Sequence, residues 1–141
     1  MTSMARAYAQ FAAVVFLVFG IGGLLTGDAG TLVHHHASGN FGGVTLHLTY
    51  ARDVLNLAIA AVLGFAGFRA REAMAGEIVL TVGVVLLLLA LLGFVNPDTA
   101  TGTRSIADLH FTPVINVFDI VAGALGVLCG IGGNGIQPAT N

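Results

Sequence analysis

Apolar residues dominate four stretches of this chain, and polar residues gather between them. The stretches cover residues 11–25, 50–68, 78–95 and 113–131. A helix crossing a bilayer needs about 20 largely apolar residues, with a range of about 17–25. Each stretch is read as one such span, so the pattern predicts four transmembrane helices. The third contains the unbroken run 84–89 and is apolar all round. The second and fourth differ, because polar residues occupy their first two turns.

The chain also repeats itself. His47-Leu48-Thr49 followed by Asp53-Val54-Leu55-Asn56-Leu57 matches His110-Phe111-Thr112 followed by Asn116-Val117-Phe118-Asp119-Ile120, at an offset of about 63 residues. The first and third helices match at an offset of about 70, with Gly23 against Gly93 and Asp28 against Asp98. The larger offset reflects an insertion in the first outer loop, which carries His34, His35 and His36. The expected fold is therefore an all-α integral membrane protein. Its four-helix bundle is built from two tandem αα-hairpins related by a pseudo-twofold along the membrane normal. One membrane domain spans 1–141, with repeat one at about 5–69, repeat two at about 75–131 and a tail at 132–141.

Composition strengthens this picture. Hydrophobic residues make up 56% of the 141 positions and charged residues only 9%, against about 25% charged in a soluble domain. Too few polar residues remain to coat a water-facing surface. The net charge of −2 and the absence of lysine leave no basic patch for nucleic acid. A single cysteine, Cys129, excludes an internal disulfide. Arg6 before the first span, and Arg69 and Arg71 between the second and third, orient both regions toward the cytoplasm. Four spans then put both termini inside. A secretory signal with its apolar region at 11–23 is the alternative for the first span. No small-x-small cleavage site follows it, and the repeat requires that segment as a helix.

The chemistry-bearing residues lie toward the predicted outer side. Thr112-Pro113 reads as an N-cap followed by the first helical residue, and Thr49-Tyr50 is its counterpart. Asp53 and Asn116 then fall one turn into their helices, with Asn56 and Asp119 one turn deeper. A spacing of three puts each pair on one helix face. Small residues continue the stripe, as Ala60, Gly64 and Gly67 on one helix and Gly123 and Gly130 on the other. The expectation is a seam between the second and fourth helices in which an Asn donates to an Asp in each layer. The functional alternative is a proton or ion path through Asp119 and Asp53. All five histidines (His34, His35, His36, His47 and His110) fall on the same side, so an outer-face metal site is a third reading. No phosphate loop, Ser-His-Asp set or Cys-His set is legible, and no enzyme is expected.

At these residues the chain resembles a family of small four-helix bacterial membrane proteins of unassigned function. That family carries Asn-x-x-His pairs in its second and fourth helices, each followed by a glycine-bearing apolar run. The matching stretches are residues 53–64 and 116–126, with Gly22, Gly23 and Gly93 at the small-residue ends of the other helices. Asn56 and Asp119 stand where the family tends to have histidine. The resemblance implies a bacterial inner-membrane location. The leading expectation for function is a structural or accessory subunit of a larger membrane complex. Its partners would be the lipid bilayer and other membrane subunits or further copies of itself.

Overall fold

A computed structural model describes residues 3–26, 36–41, 44–95, 104–106 and 109–133. Four helices form the body: α1 Met4–Thr26, α2 Tyr50–Phe68, α3 Glu72–Phe94 and α4 Pro113–Gly133. Each is long and apolar enough to cross a membrane. Two short antiparallel ribbons accompany them, β1 His36–Phe41 with β2 Val44–Thr49, and β3 Arg104–Ile106 with β4 Leu109–Phe111. The body is all-helical as expected, and the two short ribbons are additions that the reading of the sequence did not include. Their signal was legible, since Val44, Leu46 and Leu48 alternate with Thr45, His47 and Thr49, the period-two pattern of a strand.

Residues 50–68 are helical over the expected range, and α4 begins at the expected proline. By contrast, α1 and α3 begin earlier than their apolar stretches. Their first two turns contain Ala5, Ala7, Ala73 and Ala75 among Arg6, Gln10, Glu72 and Glu77. These are good helix formers that a hydropathy pattern passes over. Glu72 in the first turn of α3 also suits the positive end of the helix dipole.

Packing runs mainly within sequential pairs, α1 along α2 and α3 along α4. The buried positions are spaced by three or four. In α1 they include Ala5, Ala9, Ala13, Phe16, Gly20 and Gly23, and in α3 Ala75, Val79, Gly83, Leu86, Ala90 and Gly93. In α2 they include Asp53, Asn56, Ala60, Leu63 and Gly67, and in α4 Asn116, Asp119, Gly123, Gly126 and Gly130. This is the near-3.5 spacing of a helix seam. The same offsets that align the sequence also align the burial.

The small-residue stripes of α2 and α4 were expected to face each other, and they do not. Gly67 lies against Gln10 of α1, and Gly64 is nearest Ala13 of α1. Gly123 and Gly130 lie against Gly83 and Leu80 of α3. The reason is complementarity, because α1 and α3 carry small-residue seams of their own. At the Gly83 crossing, a methyl group added to Gly123 would stand 2.8 Å from the Gly83 carbonyl oxygen. Backbones that close gain dispersion contacts along the whole seam.

Two long side chains fasten α1 to the far end of α2. Gln10 Nε2 donates to the Gly67 carbonyl at 3.0 Å, and Arg6 Nη2 donates to the Ala70 carbonyl. The Gly67 carbonyl belongs to the last turn of α2, where helical donors run out, and Ala70 lies in the turn that follows. Between the pairs, Tyr8 of α1 donates its hydroxyl to the Ala122 carbonyl of α4 at 2.7 Å. Phe118 of α4 meets Phe16 and Phe19 of α1 with ring centroids 5.4 and 5.2 Å away.

Candidate functional site

The buried polar groups collect where α2 and α4 begin. Thr112 caps α4, its Oγ1 accepting the Ile115 amide at 3.3 Å while its carbonyl accepts the Asn116 amide at 2.9 Å. Pro113 follows, with its ring fixing a helical φ where no amide is needed. The cap thus sets the phase that turns Asn116 and Asp119 inward. Thr49 ends β2 and leads directly into α2. Arg52, Asp53 and Asn56 then occupy the first two turns, all buried.

The contact that organises the layer is an ion pair between α2 and α4. Arg52 Nη2 donates to Asp119 Oδ1 at 2.5 Å, with the side chains 2% and 0% exposed. Sequence reasoning missed Arg52. Its signal was its position, since it is an arginine in the first turn of α2, at the opposite end of that helix from Arg69 and Arg71. Such a residue in an apolar helix asks for a carboxylate partner.

The ion pair replaces the expected amide clasp. Among the described residues, no hydrogen bond joins Asn56 to Asp119 or Asp53 to Asn116. A guanidinium reaches across a gap that an amide does not, and it carries the opposite charge. The two upper residues turn instead toward their own sequential partners. The Asp53 carboxylate lies against Gly23 of α1, and the Asn116 amide against Gly93 of α3. The two glycines leave room for these polar heads. Among the described residues, four buried acceptor oxygens have no hydrogen-bond donor: Asp53 Oδ1, Asn56 Oδ1, Asn116 Oδ1 and Asp119 Oδ2.

Deeper along α2 and α4 their own buried faces turn apolar. Beyond Asn56 the buried face of α2 is Ile59, Ala60, Leu63, Ala66 and Gly67. Beyond Asp119 that of α4 is Gly123, Gly126 and Gly130.

The ribbons bring part of the histidine group to this end. His36 pairs with Thr49, His47 with Ser38, and His110 with Ser105. β2 and β4 touch each other, while α2 contacts β4 and α4 contacts β2. His34 and His35 lie outside the described residues. Among the described residues, no three His, Cys, Asp or Glu side chains are grouped as metal ligands. Cys129 is a half-buried residue of α4.

Searches against protein-family models, curated proteins and solved structures return no match to this chain.

Proposed function

We propose that the chain is a multi-pass membrane protein serving as a structural or accessory subunit of a larger membrane assembly. The observation behind this reading is the inverted distribution of polarity. Arg52, Asp53, Asn56, Asn116 and Asp119 are buried, while Phe11, Leu25, Phe65, Leu128 and Ile131 are more than half exposed. Large exposed apolar side chains occur on all four helices. Water penalises such a surface, whereas lipid or neighbouring helices accept it. The paired burial pattern supports a duplicated hairpin with a pseudo-twofold along the membrane normal. Arg6 and the turn at 69–71 share one end, which supports a cytoplasmic placement for that end and for both termini. The resemblance to small four-helix bacterial proteins extends the proposal to a bacterial inner membrane.

A subunit role fits the seam better than conduction does. A conduction path requires polar groups or water along the bundle. Here the buried faces of α2 and α4 beyond Asn56 and Asp119 are apolar side chains and glycines, and the polar groups that meet them from α1, Tyr8 and Gln10, are tied to backbone carbonyls. Purification in mild detergent followed by native mass spectrometry tests the role. A larger membrane protein in stoichiometric association is expected. Recovery as an isolated chain under every mild condition would sink the proposal.

The buried Arg52–Asp119 pair favours one second reading, a small transporter or ion-conducting protein using Asp119 and Asp53. Proteoliposome flux that disappears in Asp119→Asn would establish it in place of the first.

A further inference from the structure

Three of the five arginines gather at one turn. α2 closes with the amides of Arg69 and Ala70 both donating to the Phe65 carbonyl, at 2.9 and 3.0 Å. Arg71 follows with extended backbone, and α3 begins at Glu72. Ala70 is buried, while its neighbours Arg69 and Arg71 are exposed. Arg6 arrives from α1 and donates Nη2 to the Ala70 carbonyl. It is thereby anchored at the residue that separates the other two arginines, on backbone fixed by the end of a helix.

Carboxylates of the chain do not engage this group. Among the described residues, no ion pair joins Arg6, Arg69 or Arg71 to Glu72 or Glu77, the acidic residues of α3. The segments 1–2 and 134–141, which flank α1 and α4, contain no Asp or Glu. Arg6 Nε is buried with no acceptor among the described residues, and buried donors are almost always satisfied in folded proteins. The surroundings are apolar as well as basic. Phe68 directly precedes Arg69, and Phe65 stands four residues before it on the same helix face. Met74 is three residues beyond Arg71, and Met4 is near Arg6 on α1. All four of these apolar side chains are exposed.

We propose that this corner holds the phosphate of an anionic phospholipid, with the acyl chains laid along the exposed faces of α2 and α3. Guanidinium forks match phosphate oxygens in geometry and charge, and basic pockets between membrane helices suit such headgroups. Arg69 and Arg71 supply the accessible donors. Arg6, held by Ala70, adds positive charge behind them. A free inorganic anion would gain nothing from Phe65, Phe68 and Met74, whereas a lipid uses both the charge and the apolar flank. The proposal rests on the membrane placement and is independent of the subunit role.

The test is native mass spectrometry of the full chain, released from mild detergent with equal amounts of phosphatidylglycerol and phosphatidylcholine of the same acyl chains. Phosphatidylglycerol should be retained about tenfold over phosphatidylcholine. Arg69→Gln with Arg71→Gln, both exposed positions, should bring the ratio near one. Arg104→Gln, in β3 at the opposite end, should leave it unchanged. Should the double variant fail to fold, the wild-type ratio is read at rising ammonium acetate concentration, which should lower it by screening the headgroup contact. Equal retention of both lipids, an undiminished preference in the double variant, or a ratio indifferent to salt overturns the proposal. Thermal unfolding in detergent separates the sources of phosphate. Phosphatidylglycerol should stabilise the wild-type chain, and equal stabilisation by inorganic phosphate would overturn the lipid as ligand. Failure of the chain to float with phosphatidylcholine vesicles would remove the membrane placement itself, and this proposal with it.

Discussion

Arg52 and Asp119 form a pair whose value lies in mutual compensation. Both side chains are essentially removed from solvent. Removing one partner strands the other, which costs about 3–5 kcal/mol for a buried pair. Replacing both by apolar residues of similar volume removes the desolvation penalty together with the attraction, and is often neutral. Arg52→Leu and Asp119→Leu should therefore each lower stability by roughly 3–5 kcal/mol in a reversible detergent unfolding assay. Arg52→Met with Asp119→Leu should recover most of that loss. Losses that simply add in the double variant would show that the two side chains are not coupled. The ion pair was hidden in the sequence for a specific reason. Periodicity puts Asp119 and Asn56 on one face of each helix, and both are buried, but it carries no information on reach. A long arginine one residue before Asp53 crosses to α4, while the shorter asparagine does not.

At the scale of helices, the close crossing of α3 and α4 is built on glycine. A Cβ on Gly83 would stand 2.7 Å from the Val127 nitrogen and 2.8 Å from the Gly123 oxygen, both backbone atoms that cannot swing aside. Gly22 provides the control, because a Cβ there would meet nothing within 4 Å. Gly83→Leu should push α3 off α4 and cost at least about 1–3 kcal/mol, the usual range for overpacking. Gly22→Ala should be neutral or stabilising by up to about 1 kcal/mol through helix propensity. Melting temperatures of the two variants check both signs, and equal losses would refute the packing described. The helix ends were legible where chemistry marks them, as at Thr112-Pro113 and at the change from Phe68 to Arg69. The direction of the small-residue faces was not. Spacing identifies a buried stripe on α2 but not which helix covers it. The ribbons were overlooked because glycines at 39, 42 and 43 make that region read as loop, although Val44 to Thr49 alternates as a strand should.

At the scale of the molecule, the proposed membrane placement fixes which ends share a compartment. Arg6 reaches Ala70, so the start of α1 and the turn between α2 and α3 lie at one end. The starts of α2 and α4 lie at the other, joined by Arg52 and Asp119. Tyr50 opens α2 and is 52% exposed, whereas Arg71 precedes α3 and is also exposed. α2 has 19 residues, which at 1.5 Å per residue is about 28 Å, close to the ~30 Å hydrocarbon thickness of a bilayer. Single cysteines at these two positions, in a chain with Cys129→Ala, should therefore react with a membrane-impermeant maleimide from opposite faces. Arg71→Cys should label in inside-out vesicles and Tyr50→Cys in right-side-out ones, because arginines accumulate on the cytoplasmic side. The reverse assignment would keep the four spans and turn the protein over, moving the polar layer to the cytoplasmic face. Labelling of both positions from one side would contradict a spanning α2 and remove the membrane placement itself.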